Sequence, residues 1–540
     1  MALVLKGFSA QKVLLRYPFI LILVSSLLFG SFLDNYNPEI QAIFDGSLTF
    51  GQPFSGFYFV GFLFVDEIIS VAYKLFPELP WYLLFLKLIS FFGIFLFFEV
   101  LSQVIKINNQ VWKYLIINLI LISILLSNLV YLDVTFWSVL SIGLIPIYFF
   151  VKKTKNKKAD FLIVLIGLLL CLTRFDTAFL TYIFIGVVLL VLDKKLALKA
   201  IKRSFPILVI LIIISTFHFS NNYFKSQYVF KSSSIDLYMV SDGGFRVPIE
   251  SYSTEEDKIK YKAVVNHFFN DHNNITPEFI SSMILNPFKG KFLENFINGP
   301  IYILKQKSKK IFTKYPGEII SIILLLFILG INRRLVLILF LYISLYLGLG
   351  LIAKVEARFV LPIFYCFLPI FLFFQPPIKN LKATSSILFF FSIISFFILF
   401  KKVDDTILLQ TQNSISTNQI KALTEKGVVF LDNKSAKLLN TGGKLIQKPV
   451  NFLTVDLSEF PLWPKYQVFL KQNCNCNTLE IISFFNDSSV FGKQSYYCTS
   501  PEKMDFIKKY LNLIYKFELK TSIKAENISP NYNLNLYKIE

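Results

Sequence analysis

Nearly continuous apolar runs recur along the first three quarters of this chain, most of them about 17–20 residues and so close to what a helix needs to cross a hydrocarbon core, although the run at 160–173 is too short for a full crossing. They fall at roughly 14–33, 81–103, 113–130, 134–151, 160–173, 176–193, 204–220, 317–331, 335–353, 357–375 and 384–400. A pattern of this kind predicts a mainly α, polytopic transmembrane fold of about eleven spans. Composition agrees, with 54% hydrophobic and 17% charged residues among 540, where soluble domains carry about 25% charged. A soluble enzyme, a disordered chain and a small disulfide scaffold are all poor fits.

The net charge of +20 raises the question of a nucleic-acid partner. No basic helix or motif of that class is present, so none is expected. Cytoplasmic loops collect Lys and Arg and so set orientation. The cluster Lys152, Lys153, Lys155, Lys157, Lys158 and the cluster Lys194, Lys195, Lys199, Lys202, Arg203 then place the N-terminus inside. A twelfth apolar stretch, 55–75, carries Asp66 and Glu67 in its middle, and a crossing there would put the five-lysine cluster outside. It reads instead as an interfacial segment on the outer face.

Residues 1–400 are thus expected to form the transmembrane domain of a plasma-membrane protein. An outer loop and interfacial helix occupy 34–80, and a large outer loop occupies 221–316. Residues 401–540 are expected to form a small extracytoplasmic α/β domain, with strand-like Val428 to Leu431 and an alternating Tyr532 to Ile539. An extracytoplasmic setting permits a disulfide from Cys474 or Cys476 to Cys498. Zinc is the rival for these three Cys, although no His lies near them.

Three constellations carry chemistry. Asp34-Asn-Tyr-Asn-Pro-Glu39 follows the first run. A carboxylate at that boundary suits a general base, with Asp34 first and Glu39 second, or a ligand to a divalent cation. Asp34 or Asn37 before Pro38-Glu39 is also good helix-capping chemistry. Arg174 with Asp176 closes a tight hairpin between two runs. It suits a lipid phosphate, or a local ion pair. Lys354-Val-Glu-Ala-Arg358 opens another run. It suits a phosphate leaving group, or cations snorkelling at a helix end beside Glu356. His267 and His272 lack acidic or Cys partners at metal spacing and read as surface residues.

Taken in order, these segments resemble a known family. Asp34-Asn35 looks like the acidic first outer loop of the GT-C fold glycosyltransferases. Gly167-Leu-Leu-Leu-Cys-Leu-Thr-Arg174-Phe-Asp resembles that family's G-x-x-x-x-L-T-R-P-D hairpin, with Phe175 in place of Pro. Glu356-Ala-Arg358-Phe-Val-Leu-Pro362 resembles its late E-x-R-Y-x-L-P segment. Gly51-Gln-Pro-Phe through Leu79-Pro-Trp-Tyr82 is similar to multispanning proteins of bacterial polysaccharide clusters. The likeness runs from about residue 14 to 400. It departs at Asn35, where the family often has a second acid.

The resemblance implies an enzyme that moves a sugar from a polyprenyl-phosphate donor to an acceptor glycan or lipid on the outer membrane face. Asp34 would take the acceptor proton. Arg174, Lys354 and Arg358, with or without a divalent cation, would hold the departing lipid phosphate. Two alternatives stay open: a cell-surface polysaccharide polymerase or ligase, and a lipid-linked glycan flippase or transporter.

Overall fold

The computed structural model describes residues 68–76 in part, 81–104, 134–152, 157–171, 175–220, 247–284 in part, 333–352, 357–374, 427–431, 452–454, 489–490, 493–529 and 533–540. The first unit is a bundle of helices α1 (Trp81–Val104), α2 (Val134–Val151), α3 (Lys157–Cys171), α4 (Phe175–Leu192), α5 (Lys194–Ser220), α8 (Arg333–Ile352) and α9 (Ala357–Phe374). Helix α2 is its axis. It is apolar all round, and every described side chain from Thr135 to Lys152 is buried. A helix with no polar face is satisfied by other helices or by lipid, and here α2 is covered by helices.

Close approaches set the packing. A Cβ on Gly143 of α2 would lie 2.6 Å from the Cys366 sulfur of α9 and 3.3 Å from Thr181 of α4, so only glycine lets three helices meet there. Phe136 packs edge-on to Tyr365, and Phe150 to Phe373, so α2 and α9 run in the same direction. Asp160 of α3 meets Tyr148 and Lys152 at the end of α2, while Gly167 reaches Ile145. Helix α3 therefore runs back along α2. Helix α4 turns again and passes Gly143 at Thr181, and α5 returns beside it through a 2.6 Å Tyr182–Ser204 hydroxyl bond. Helix α8 runs opposite to α9, with Tyr342 against Phe364 and Arg334 over Phe374.

The expected count of eleven spans is corrected here. Among the described residues one helix, α1, holds an 18-residue window apolar enough to cross a membrane, Leu84–Leu101, with mean hydropathy 2.2. The apolar stretches Thr135–Val151, Thr177–Leu192, Val336–Leu345 and Pro362–Phe371 are only 10–17 residues long. Two physical causes separate hydropathy from spans. Much of the apolar surface is used in helix-on-helix packing, with 56% of the α1 window itself buried. The helices also extend through charged residues, as α5 does from Lys194 to Arg203. The runs at 14–33, 55–67, 113–130, 317–331 and 384–400 lie outside the described residues.

The second unit is built on a six-stranded sheet. Its strands are β1 (Gly427–Leu431), β2 (Phe452–Thr454), β3 (Ser489–Val490), β4 (Lys493–Thr499), β5 (Thr521–Ser529) and β6 (Leu534–Ile539). The order is β2-β1-β4-β6-β5, with β3 beside β4. Pairings β1–β2 and β1–β4 are parallel, and β4–β6 and β5–β6 antiparallel. Helix α10 (Pro501–Tyr515) starts on Ser500, whose hydroxyl accepts from the Lys503 amide, with Pro501 in its first turn. It stops at Lys516 in the left-handed region, φ 55°. Its buried face, Met504, Ile507, Tyr510 and Leu511, has helical spacing.

Residues 247–284, between α5 and α8 in the chain, belong to this second unit. They carry α6 (Glu255–Val265) and α7 (Pro277–Ser282). Ile259, Val264, Ile280 and Met283 share one apolar core with Phe430, Tyr497, Ile507 and Tyr537.

Candidate functional site

Asp34, Glu39, Arg174 and Lys354 lie outside the described residues, as do Cys474 and Cys476. Arg358 is in the first turn of α9, where its backbone is helical. Cys498 is a buried thiol in β4. His267 and His272 also lie outside the described residues.

The helices that follow Arg174 and Glu356 in the chain are described. Helix α4 begins at Phe175, directly after Arg174, and α9 begins at Ala357, directly after Glu356. Both run parallel to α2 and meet it at one level, where Thr181 and Cys366 flank Gly143. At 1.5 Å per residue, Phe175 lies about 9 Å and Arg358 about 12 Å from that level, toward the same end of the bundle. Phe175 and the Arg358 backbone thus both lie toward the N-terminal end of α2. Pro362 lies four residues beyond Arg358 within α9. Having no N–H, it cannot donate to the Arg358 carbonyl, which loosens the turn that presents this residue.

The opposite end of the bundle is basic. Lys157, Lys158, Lys194, Lys195, Arg333 and Arg334 are exposed there. The described carboxylates at that end are engaged. Asp160 pairs with the buried Lys152, which also donates to the Tyr148 hydroxyl at 3.0 Å. Asp193 accepts from the Leu196 amide at 3.0 Å, and Glu99 from Gln103 at 3.2 Å.

Among the described residues no three His, Cys, Asp or Glu side chains come together as metal ligands. Asp34, the carboxylate that sequence links with a divalent cation, is outside them.

Sequence reasoning missed a polar node in the second unit. Asp271 is fully buried. Its carboxylate accepts from the Tyr510 and Tyr515 hydroxyls, both at 2.8 Å, and from the Asn274 side chain at 3.0 Å and backbone amide at 3.3 Å. Burial, reinforced by the adjacent Asp271 charge, holds the Tyr510 hydroxyl far above the ordinary tyrosine value. The local Asp-x-x-Asn turn was readable as an Asx-type motif. Its tyrosine partners, more than 230 positions away, were not.

The described residues define a helical bundle with exposed basic residues at one end, joined in one chain with a mixed α/β unit. No family model, curated protein or solved structure matches this chain. The likeness to GT-C transferases therefore rests on the sequence segments quoted above.

Proposed function

We propose that the protein is a membrane glycosyltransferase that moves a sugar from a polyprenyl-phosphate donor to an acceptor glycan or lipid at the outer face. The observation that carries this reading is the shared end of α4 and α9. The Leu-Thr-Arg174-Phe-Asp and Glu-Ala-Arg358 segments are far apart in sequence, yet they lead into parallel helices seated on one glycine of α2. A guanidinium on each of two segments that lead into one end of an apolar bundle would suit a phosphate on a lipid tail. A membrane setting is supported by the exposed apolar faces of the outer helices, with Phe161 70%, Ile213 59% and Phe340 64% exposed.

In this mechanism Asp34, with Glu39 second, accepts the proton of the acceptor hydroxyl. The new glycosidic bond forms at the anomeric carbon as its bond to the phosphate oxygen breaks, through an oxocarbenium-like state. Arg174, Lys354 and Arg358 neutralise the charge that develops on the departing lipid phosphate. One such donor is worth about 100- to 1,000-fold in rate.

The test compares lipid-linked and surface glycans in cells carrying wild type, a deletion, Asp34→Ala and Arg358→Ala at matched membrane levels. Loss of one sugar and accumulation of the same polyprenyl-phosphate sugar in all three altered strains supports the transferase. A glycan change in the deletion alone assigns the protein to polymerisation or flipping. No change in any strain rejects a role with glycans.

A further inference from the structure

At the C-terminal end of α2, three helices begin with exposed cations and continue into exposed apolar side chains. Lys157 and Lys158 open α3 and are exposed, and exposed Phe161, Leu162 and Leu165 follow them. Exposed Lys194, Lys195, Lys199 and Lys202 line the first third of α5, then exposed Phe205, Ile212 and Ile213. Exposed Arg333 and Arg334 open α8, then exposed Val336, Phe340 and Ile343. The packing of α2, α3, α4, α5, α8 and α9 puts all three basic starts at one end. The described acids of that end, Asp160, Asp193 and Glu99, are already bonded. On each helix the change from basic to apolar takes about 3–5 Å of rise.

We propose that this end of the bundle is a binding surface for an anionic lipid leaflet, with Lys and Arg on the phosphates and the neighbouring apolar faces in the acyl region. The inference rests on the membrane setting proposed above and adds the lipid class and the end that reads it. A soluble acidic partner would satisfy the cations but leave the adjacent Phe161, Phe205 and Phe340 in water. A leaflet satisfies both at once, because its phosphates and its hydrocarbon are stacked in the same order. Each cation near an anionic surface strengthens association about fivefold at moderate salt.

The full chain, purified in neutral detergent, is placed in nanodiscs of phosphatidylcholine with or without phosphatidylglycerol, and its unfolding midpoint is measured at low and high salt. Phosphatidylglycerol is expected to raise the midpoint by several degrees at low salt, and high salt to erase the gain. The variant Lys194→Gln/Lys195→Gln/Lys199→Gln/Lys202→Gln is expected to lose most of the gain. Lys509→Gln/Lys516→Gln/Lys520→Gln, on the second unit, is expected to keep it. Equal midpoints for wild type in the two lipids overturn the proposal, while entry into both discs leaves the membrane setting standing. An equal gain from soluble polyglutamate also overturns it, as does an equal loss in the control variant. A chain that stays dispersed without detergent and enters neither disc rejects the membrane setting itself.

Discussion

Replacing Asp271 with Ala tests the node that joins residues 247–284 to α10. Asp271 and Tyr510 are both fully buried. The substitution removes the acceptor for two tyrosine hydroxyls and for the Asn274 side chain. Tyr515 is half-buried and can turn to water. Tyr510 cannot, and a buried donor left without an acceptor costs about 1–3 kcal/mol. Adding the lost charge-assisted bonds gives a cost of about 3–5 kcal/mol. Hydrogen exchange on the intact chain reads this as a fall of roughly 100- to 1,000-fold or more in protection of the α10 amides, if they exchange through opening of this unit. Tyr510→Phe alone is expected to cost about 1–2 kcal/mol, since Asp271 keeps Tyr515 and Asn274. The double variant Asp271→Ala/Tyr510→Phe then costs less than the two single losses added, by about 1–3 kcal/mol, because no orphan hydroxyl remains. Strict additivity, or unchanged α10 protection in Asp271→Ala, refutes the argument.

Three further outcomes follow from the packing and the charges. Gly143→Ala is expected to destabilise the bundle by about 1–3 kcal/mol, since its Cβ would stand 2.6 Å from the Cys366 sulfur; Cys366→Ala should recover part of the loss in thermal unfolding. Asp160→Ala takes the carboxylate from Lys152, whose side chain is 1% exposed, and is expected to cost about 2–3 kcal/mol in the same assay. Tyr510 has its ionisation raised above the ordinary value of 10.0, so the neutral hydroxyl is favoured by folding. That contribution is fully present below pH 10 and is lost as pH rises above it. Alkaline loss of stability should therefore begin above pH 10, and Tyr510→Phe should make stability fall less steeply with pH there, as read by denaturant unfolding at a series of pH values.

Local pattern carried most of the element-level information. The apolar runs at 81–103, 134–151, 176–193, 335–353 and 357–375 coincide with helices to within two residues. The alternating stretch near 532–539 became β6, and Val428 to Leu431 became β1. Hydropathy failed where helix and apolar segment are different things. Helix α5 begins at Lys194, ahead of the apolar run at 204, because exposed lysines on a helix surface do not interrupt its hydrogen bonds. The span count failed for the related reason that an apolar side chain is satisfied by a neighbouring helix as well as by lipid.

The sequence by itself determined which apolar segments would be helix, where β1 and β6 would fall, and which Arg and carboxylate positions were candidates for phosphate and proton chemistry. These depend on periods of 3.6 and 2.0 residues and on side-chain type, both local properties. Only the tertiary structure decided that α2 is the axis, that the Arg174 and Arg358 segments lead into helices starting at one end, and that residues 247–284 share a core with β1, β4, β6 and α10. Those outcomes depend on which surfaces fit. Gly143 admits a sulfur and a methyl group from two other helices, and Asp271 receives two hydroxyls from α10. Complementarity between distant residues has no period along the chain, so it leaves no local signature there.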